Sequence, residues 1–264
     1  MPLTKISSHF YGCANSCNTY ILVDGDAALI VDPGSGVVLD HLSEIGVKRV
    51  EWALHTHHHR DQCWGTPRLR EHGAKVAVPE YERHLFDQAE LYWQSRRVFD
   101  NYNDRNTFFT IGASIPVDAV LEDYETFRWR DYEFFVLPAK GHTFGSSTLI
   151  AKIDGGLVAF TGDLMAAGGK LYQLHAMEYT YGSMEGVMFT LQSIQALKKK
   201  NVDLCLPSHG APITDVPGDI DRLQRRRVVG KERERAKLAE GHSRWQLILI
   251  NAIVDHLQQQ AVHR

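Results

Sequence analysis

Cysteine is scarce in this sequence: four in 264 residues, Cys13, Cys17, Cys63 and Cys205, with no Cys-x-x-Cys pair among them. They are too few and too scattered for a disulfide framework, so a reducing compartment is expected. No charge of one sign dominates either, since 29 Lys and Arg stand against 32 Asp and Glu, a net charge of −3. A general attraction to phosphate backbones or anionic lipid is therefore not expected, which speaks against nucleic acid as a partner. Long apolar runs are missing as well. Residues 28–31 and 247–250 fall far short of the roughly 20 residues that cross a bilayer, and Met1-Pro2-Leu3-Thr4-Lys5 lacks the apolar core of a signal peptide. The expectation is a folded cytoplasmic protein with no membrane partner, and its 44% hydrophobic content suits a globular core.

Histidine, by contrast, is abundant. There are 14, and His57, His58 and His59 stand in a row with His55 just before them. Neutral imidazole is the commonest metal ligand near pH 7, and the cluster is internal, so it is not a terminal tag.

Apolar runs separated by turn signals predict a β-hairpin over 18–31, turning at Asp24-Gly25-Asp26, and a helix over 38–45. A strand over 48–54 leads straight into the histidines. A helix over 64–71 and a short buried strand over 75–79 follow. Residues 80–107 break this rhythm with aromatics interleaved among arginines and carboxylates, which reads as an inserted helical segment. Strands return over 127–130, 132–137, 147–153 and 157–161, then an amphipathic helix over 184–199 and a last strand over 203–207. The organisation expected is a domain over 1–215 with the insertion at about 80–107, and a helical segment over 216–264. In that segment Trp245, Leu249, Ile253 and Leu257 are spaced by four, so their stripe packs on the core or on a second copy, leaving a homodimer through these helices open.

The segment 56–62 reads Thr-His-His-His-Arg-Asp-Gln and contains His-x-His-x-Asp. In a locally extended backbone His57, His59 and Asp61 project to one side and surround one point. Three later fragments, Gly141-His142-Thr143, Thr161-Gly162-Asp163 and Pro207-Ser208-His209-Gly210, each follow an apolar strand-like run. Taken singly these are ordinary loop residues. Four such fragments at strand ends in one chain point to a metal site. His55 and His58 fall outside the set: His55 reads as a strand-end residue or one that supports the ligands, and His58 faces away, toward solvent or a supporting carboxylate. Cys63 reads as simply buried. Lys140, Tyr172, His175, Tyr179 and Tyr181, near the site in sequence, are read either as groups that orient a substrate or as ordinary packing.

With Asn18-Thr19-Tyr20 and Asp32-Pro33-Gly34, these motifs resemble the metallo-β-lactamase superfamily from about 18 to about 213, and within it the glyoxalase II-like hydrolases more than the secreted β-lactamases. The resemblance implies an α+β fold, a four-layer αβ/βα sandwich with metals in a cleft at one sheet edge. It implies His57, His59 and His142 at one metal, Asp61 and His209 at a second, and Asp163 bridging. Where the family has a final histidine directly after the aspartate, this chain has Gln62, a neutral amide and a weaker, harder donor. A second site with Gln62 binds zinc less tightly or accepts Mn²⁺ or Fe²⁺, or goes without Gln62 as a ligand. The expected cofactor is thus one or two Zn²⁺. The function expected is hydrolysis of a small ester, thioester, lactone or related acyl compound by metal-activated water, with Asp61 as proton acceptor and donor. The alternatives are a mononuclear iron enzyme that oxidises sulfur substrates, and a catalytically silent binding protein. Arg96 and Arg97 of the insertion are candidates for holding an anionic substrate.

Overall fold

The computed structural model describes residues 3–95, 109–171, 185–223 and 225. The chain divides into Met1–Ile220 and Asp221–Arg264, and the fold described here is that of the first unit. The expected tail stripe at 245–257, the end of the insertion with Arg96 and Arg97, and Tyr172, His175, Tyr179 and Tyr181 all lie outside the described residues.

Two sheets make the frame. The first has seven strands in sequence order: β1 (Thr4–Ser7), β2 (Phe10–Ala14), β3 (Asn18–Asp24), β4 (Ala27–Val31), β5 (Arg49–Leu54), β6 (Lys75–Pro79) and β7 (Ala119–Leu121). Pairing is antiparallel from β1 to β4 and parallel from β4 to β7. The second has five, β8 (Thr126–Trp129), β9 (Tyr132–Pro138), β10 (Ser147–Ile153), β11 (Gly156–Gly162) and β12 (Leu204–Pro207), ordered β12-β11-β10-β9-β8. All its pairs are antiparallel except β11 with β12.

Alternation along the strands explains how the sheets meet. In β3 and β4, Tyr20, Leu22, Leu29 and Val31 face the second sheet, where Phe134, Val136, Leu149, Ala151, Val158, Phe160 and Leu206 meet them in one core. Phe160 lies at its centre, with the rings of Phe10, Tyr20 and Phe134 at 5.7, 5.6 and 6.3 Å. The other face of the first sheet buries Ile21, Ala28, Ile30 and Ala53 against Val38, Leu42 and Leu69. Helices on this face are short: α1 (Arg60–Cys63), α2 (Thr66–Glu71), α3 (Arg83–Asp87) and α4 (Ala89–Ser95). On the other side, α5 (Glu185–Lys198) buries Ile194 and Leu197, its Ser193 hydroxyl donates to the Lys140 carbonyl, and Lys200 just beyond it covers the outward ring of Phe135. Strands buried on both faces and helices outside them form the α+β sandwich.

Several expectations are corrected. The helix over 38–45 is two 3-10 turns, Val37–Asp40 and Leu42–Ile45, set off by left-handed Gly36 and Gly46, so the spacing of Val38 and Leu42 fills the sheet face without an α-helix. The helix over 64–71 starts at Thr66 with proline in its first turn, and a separate turn of helix, α1, precedes it. β1 and β2 lay outside the predicted strands, being short and of mixed polarity. The insertion begins as a 3-10 turn, Glu80–Glu82, followed by α3 and α4. Among the described residues no helix is long and apolar enough to cross a membrane.

Candidate metal centre

Strand direction brings the motifs together. β9, β11 and β12 run the same way, so the loops that follow them open at one edge of the second sheet, and the loop after β5 meets them there. Backbone hydrogen bonds join the two sets of loops: Ser147 N–H donates to the Thr56 carbonyl at 2.9 Å, Ser208 N–H to Gly162 at 2.9 Å and Asn18 N–H to Ser208 at 2.6 Å. Gly162 is required here. Its φ is +54°, and a Cβ would sit 2.7 Å from Thr56 Oγ1 and 3.0 Å from Thr56 Cβ.

His57, His59, His142 and Asp163 converge, each offering one ligand atom, with these atoms all within 4.8 Å of one another. His59 Nδ1 is 2.9 Å from His142 Nε2, which is 3.1 Å from Asp163 Oδ2. The three imidazoles are buried. Burial, and then the charge of His142, pull His57 down to about 4, so it is neutral at pH 7. Burial pushes Asp163 up, but His142, His57 and His209 outweigh it and draw its carboxyl to about 2, so it is ionised.

The orientation of His57 follows from a chain of hydrogen bonds. Buried Asp32 accepts from Thr56 N–H at 2.9 Å, from Thr56 Oγ1 at 2.7 Å and from Ser208 Oγ at 3.1 Å. With its proton on Asp32, Thr56 Oγ1 accepts from His57 Nδ1 at 3.0 Å. Nε2 then carries the lone pair. Among the described residues that buried Nε2 has no hydrogen-bond partner. Three buried imidazoles, an ionised carboxylate and an unpartnered ring nitrogen at one point are a donor set that fits a divalent cation of the zinc class. Burial pushes Asp32 itself up to about 7 against its three donors.

Asp61 and His209 form a second group. The expected extended backbone ends at His59, the residue before α1, and Asp61 sits inside that helical turn, because α1 begins at Arg60, and is not one of the four clustered residues. Its Oδ2 is 2.9 Å from His209 Nε2 and accepts from Gln62 Nε2 at 3.1 Å. His209 Nε2 is 3.7 Å from Asp163 Oδ1, so the second group borders the first. Burial lowers His209, but its hydrogen bond to Asp61 and the charges of Asp163 and Asp61 leave it raised. Gln62 is buried and turns its amide nitrogen toward Asp61; the amide oxygen, also buried, has no hydrogen-bond partner among the described residues.

The other histidines resolve differently. His55 is buried on the ring of Phe86 at 5.0 Å, 3.2 Å from the Thr66 hydroxyl, and burial draws it down to about 3. His58 faces a supporting carboxylate: its Nδ1 lies 3.0 Å from Glu82 Oε2, with both side chains fully buried. Cys63 is buried, its thiol on the carbonyls of His58 and His59. Lys140 packs over the rings of Tyr81 and Phe144, at 5.1 and 4.7 Å. Two neighbours of the site carried no sequence signal. Glu82 belongs to no motif, and Phe109, 5.3 Å from the His59 ring, lies just past the insertion.

Comparison with known proteins agrees with this geometry. The family model of the metallo-β-lactamase superfamily matches residues 14–209. A hydroxyacylglutathione hydrolase from Maricaulis maris (strain MCS10) is 28% identical over 156 residues, 56% of this chain and 47% of that protein. Another, from Stenotrophomonas maltophilia (strain R551-3), is 40% identical over 67 residues, 24% of this chain and 26% of that protein. The chain thus spans about half or less of the length of these relatives. Among solved structures, a Cronobacter sakazakii metallo-β-lactamase described by its HARLDQ motif has a TM-score of 0.64 at 15% identity, covering 90% of this chain and 100% of that one. That motif ends in Asp-Gln, as 57–62 does here. A metallo-β-lactamase family protein from Thermus thermophilus has a TM-score of 0.61 at 23% identity, covering 84% and 77%. Sandwich, motifs and histidine–aspartate cluster agree with the family match: the chain belongs to the metallo-β-lactamase superfamily.

Proposed function

We propose that this protein is a metal-dependent hydrolase of a small acyl compound, an ester, thioester or lactone, acting in the cytoplasm. The observation that carries the reading is the convergence of His57, His59, His142 and Asp163, with His57 Nε2 oriented by Thr56 and Asp32 and lacking a hydrogen-bond partner among the described residues. A divalent cation bound there, Zn²⁺ in this reading, supplies a Lewis acid that makes water nucleophilic near pH 7 and polarises an acyl carbonyl. Asp61 takes the proton of the attacking water and returns it to the leaving group. His209 and Gln62 hold Asp61 in place through its Oδ2, and its side chain is 34% exposed, within reach of substrate from solvent. A second ion at Asp61 and His209 is the weaker one, Zn²⁺, Mn²⁺ or Fe²⁺, because Gln62 offers an amide where imidazole would bind more firmly. Similarity to hydroxyacylglutathione hydrolases supports the thioester among the three substrate classes.

A second reading, a mononuclear iron enzyme that oxidises a sulfur substrate, is favoured by one observation: Gln62 turns a donor, not an acceptor, toward Asp61 and His209. The test is a panel of thioesters, esters and lactones, assayed with protein stripped by chelator and reloaded with Zn²⁺, Mn²⁺ or Fe²⁺. Acyl hydrolysis lost on stripping and restored by Zn²⁺ is the expected result. Oxygen uptake on a sulfur substrate with Fe²⁺, and no hydrolysis with any ion, replaces the first reading with the second.

A further inference from the structure

Glu82 is 1% exposed, and it lies in the first turn of the insertion, remote in sequence from every motif. Its two oxygens reach both loops that carry the histidine ligands. Oε2 is 3.0 Å from His58 Nδ1, between His57 and His59. Oε1 accepts from the Thr143 hydroxyl, next to His142, and from Gly145 N–H at 3.2 Å. Thr143 in turn meets Ser146 Oγ, closing the loop on itself. The fit is tight. A Cβ on Gly145 would collide with Glu82 Cγ and stand 3.0 Å from Tyr81 Cβ, so the loop after His142 closes on this turn only because residue 145 has no side chain.

Burying a carboxylate is costly, and well-packed apolar residues often replace a buried ion pair at no loss of stability. A buried charge with bonds to two loops is therefore better explained by what it positions than by what it stabilises. We infer that Glu82 is a positioning residue for the metal centre, fixing the His57–His59 loop against the His142 loop and tying the insertion to both. The inference rests on the reading of the four-residue cluster as a metal site.

The full-length protein and its Glu82→Gln variant are stripped with chelator and titrated with Zn²⁺ against a chromophoric chelator, with circular dichroism to confirm the fold. Glutamine keeps the shape but sets an amide NH₂ against either His58 or the Thr143 and Gly145 donors. The expected result is a folded variant that binds Zn²⁺ about 10- to 100-fold more weakly, as when other groups that hold metal ligands are removed. A purely structural role would lower the unfolding midpoint of the metal-free protein and leave the Zn²⁺ dissociation constant unchanged; that outcome overturns the inference. A wild-type chain that takes up no Zn²⁺ overturns instead the metal reading beneath it. If E82Q does not fold, Thr143→Val decides, since it removes the hydroxyl that meets Glu82 and Ser146 and removes no charge: weaker Zn²⁺ binding supports the role of Glu82, and unchanged binding rejects it.

Discussion

Proton placement at the centre is set one side chain at a time. Asp32 orders Thr56, Thr56 orders His57, and Asp61 gathers His209 and Gln62 onto a single oxygen. The proposal that Asp61 moves the proton of the attacking water makes a sharp prediction. Asp61→Asn keeps the shape and the metal of the four-residue cluster but cannot accept that proton, so kcat should fall by about 10²- to 10⁴-fold. Steady-state kinetics beside metal analysis checks it; full rate with full metal content rules the role out. Much at this scale was readable from spacing alone, because His57 and His59 do lie on one side of an extended segment. The backbone that carries Asp61 and Gln62 was not readable, because it depends on α1 starting at Arg60, which no residue in the motif announces. Glu82 was further out of reach, since its partners lie 24 to 63 positions away in sequence.

Turns decide how the elements are held. Asp154, in the β10–β11 turn with φ +47°, accepts from Ser7 Oγ at 2.6 Å, from His9 N–H at 3.1 Å and from His9 Nδ1 at 2.8 Å, pinning the β1–β2 turn to the second sheet. Burial pushes its carboxyl up, but these partners outweigh it and hold it at about 2, below the 3.8 of a free aspartate. A depressed folded-state value means the carboxylate stabilises fully above pH 3.8 and loses that contribution as pH falls through about 2. Asparagine also tolerates the left-handed backbone, so Asp154→Asn isolates the charge. His9 is 57% exposed, so solvent screens the pair, and the expected loss is about 1 kcal/mol. Urea unfolding should show that loss at pH 6 and show it vanish near pH 2. Strands buried on both faces, such as β4, were legible as unbroken apolar runs, and β9 to β11 were legible from their turn residues. β1 and β2 gain their place by pairing with β3, a long-range reason that local pattern does not carry.

The whole molecule brings its chemistry to the seam between two sheets. His57 and His59 come from the first sheet, while His142 and Asp163 come from the second. The shared core around Phe160 fixes the distance between those sheets and hence the size of the ligand cluster. The order of the strands, with β9, β11 and β12 parallel to one another, is what makes motifs spread over more than half the sequence into one site. The fold was legible because each motif closes a strand; the identity of the substrate was not, because no motif covers the segments that differ from the common frame. The central claim is that His57, His59, His142 and Asp163 hold a divalent metal, and elemental mass spectrometry of protein purified without added metal tests it most directly. The account predicts about one to two equivalents of zinc, or of zinc with manganese or iron, per wild-type chain, and near-complete loss from a folded Asp163→Ala variant. A wild-type chain free of metal that still hydrolyses its substrate, or an Asp163→Ala variant with undiminished metal, would contradict it.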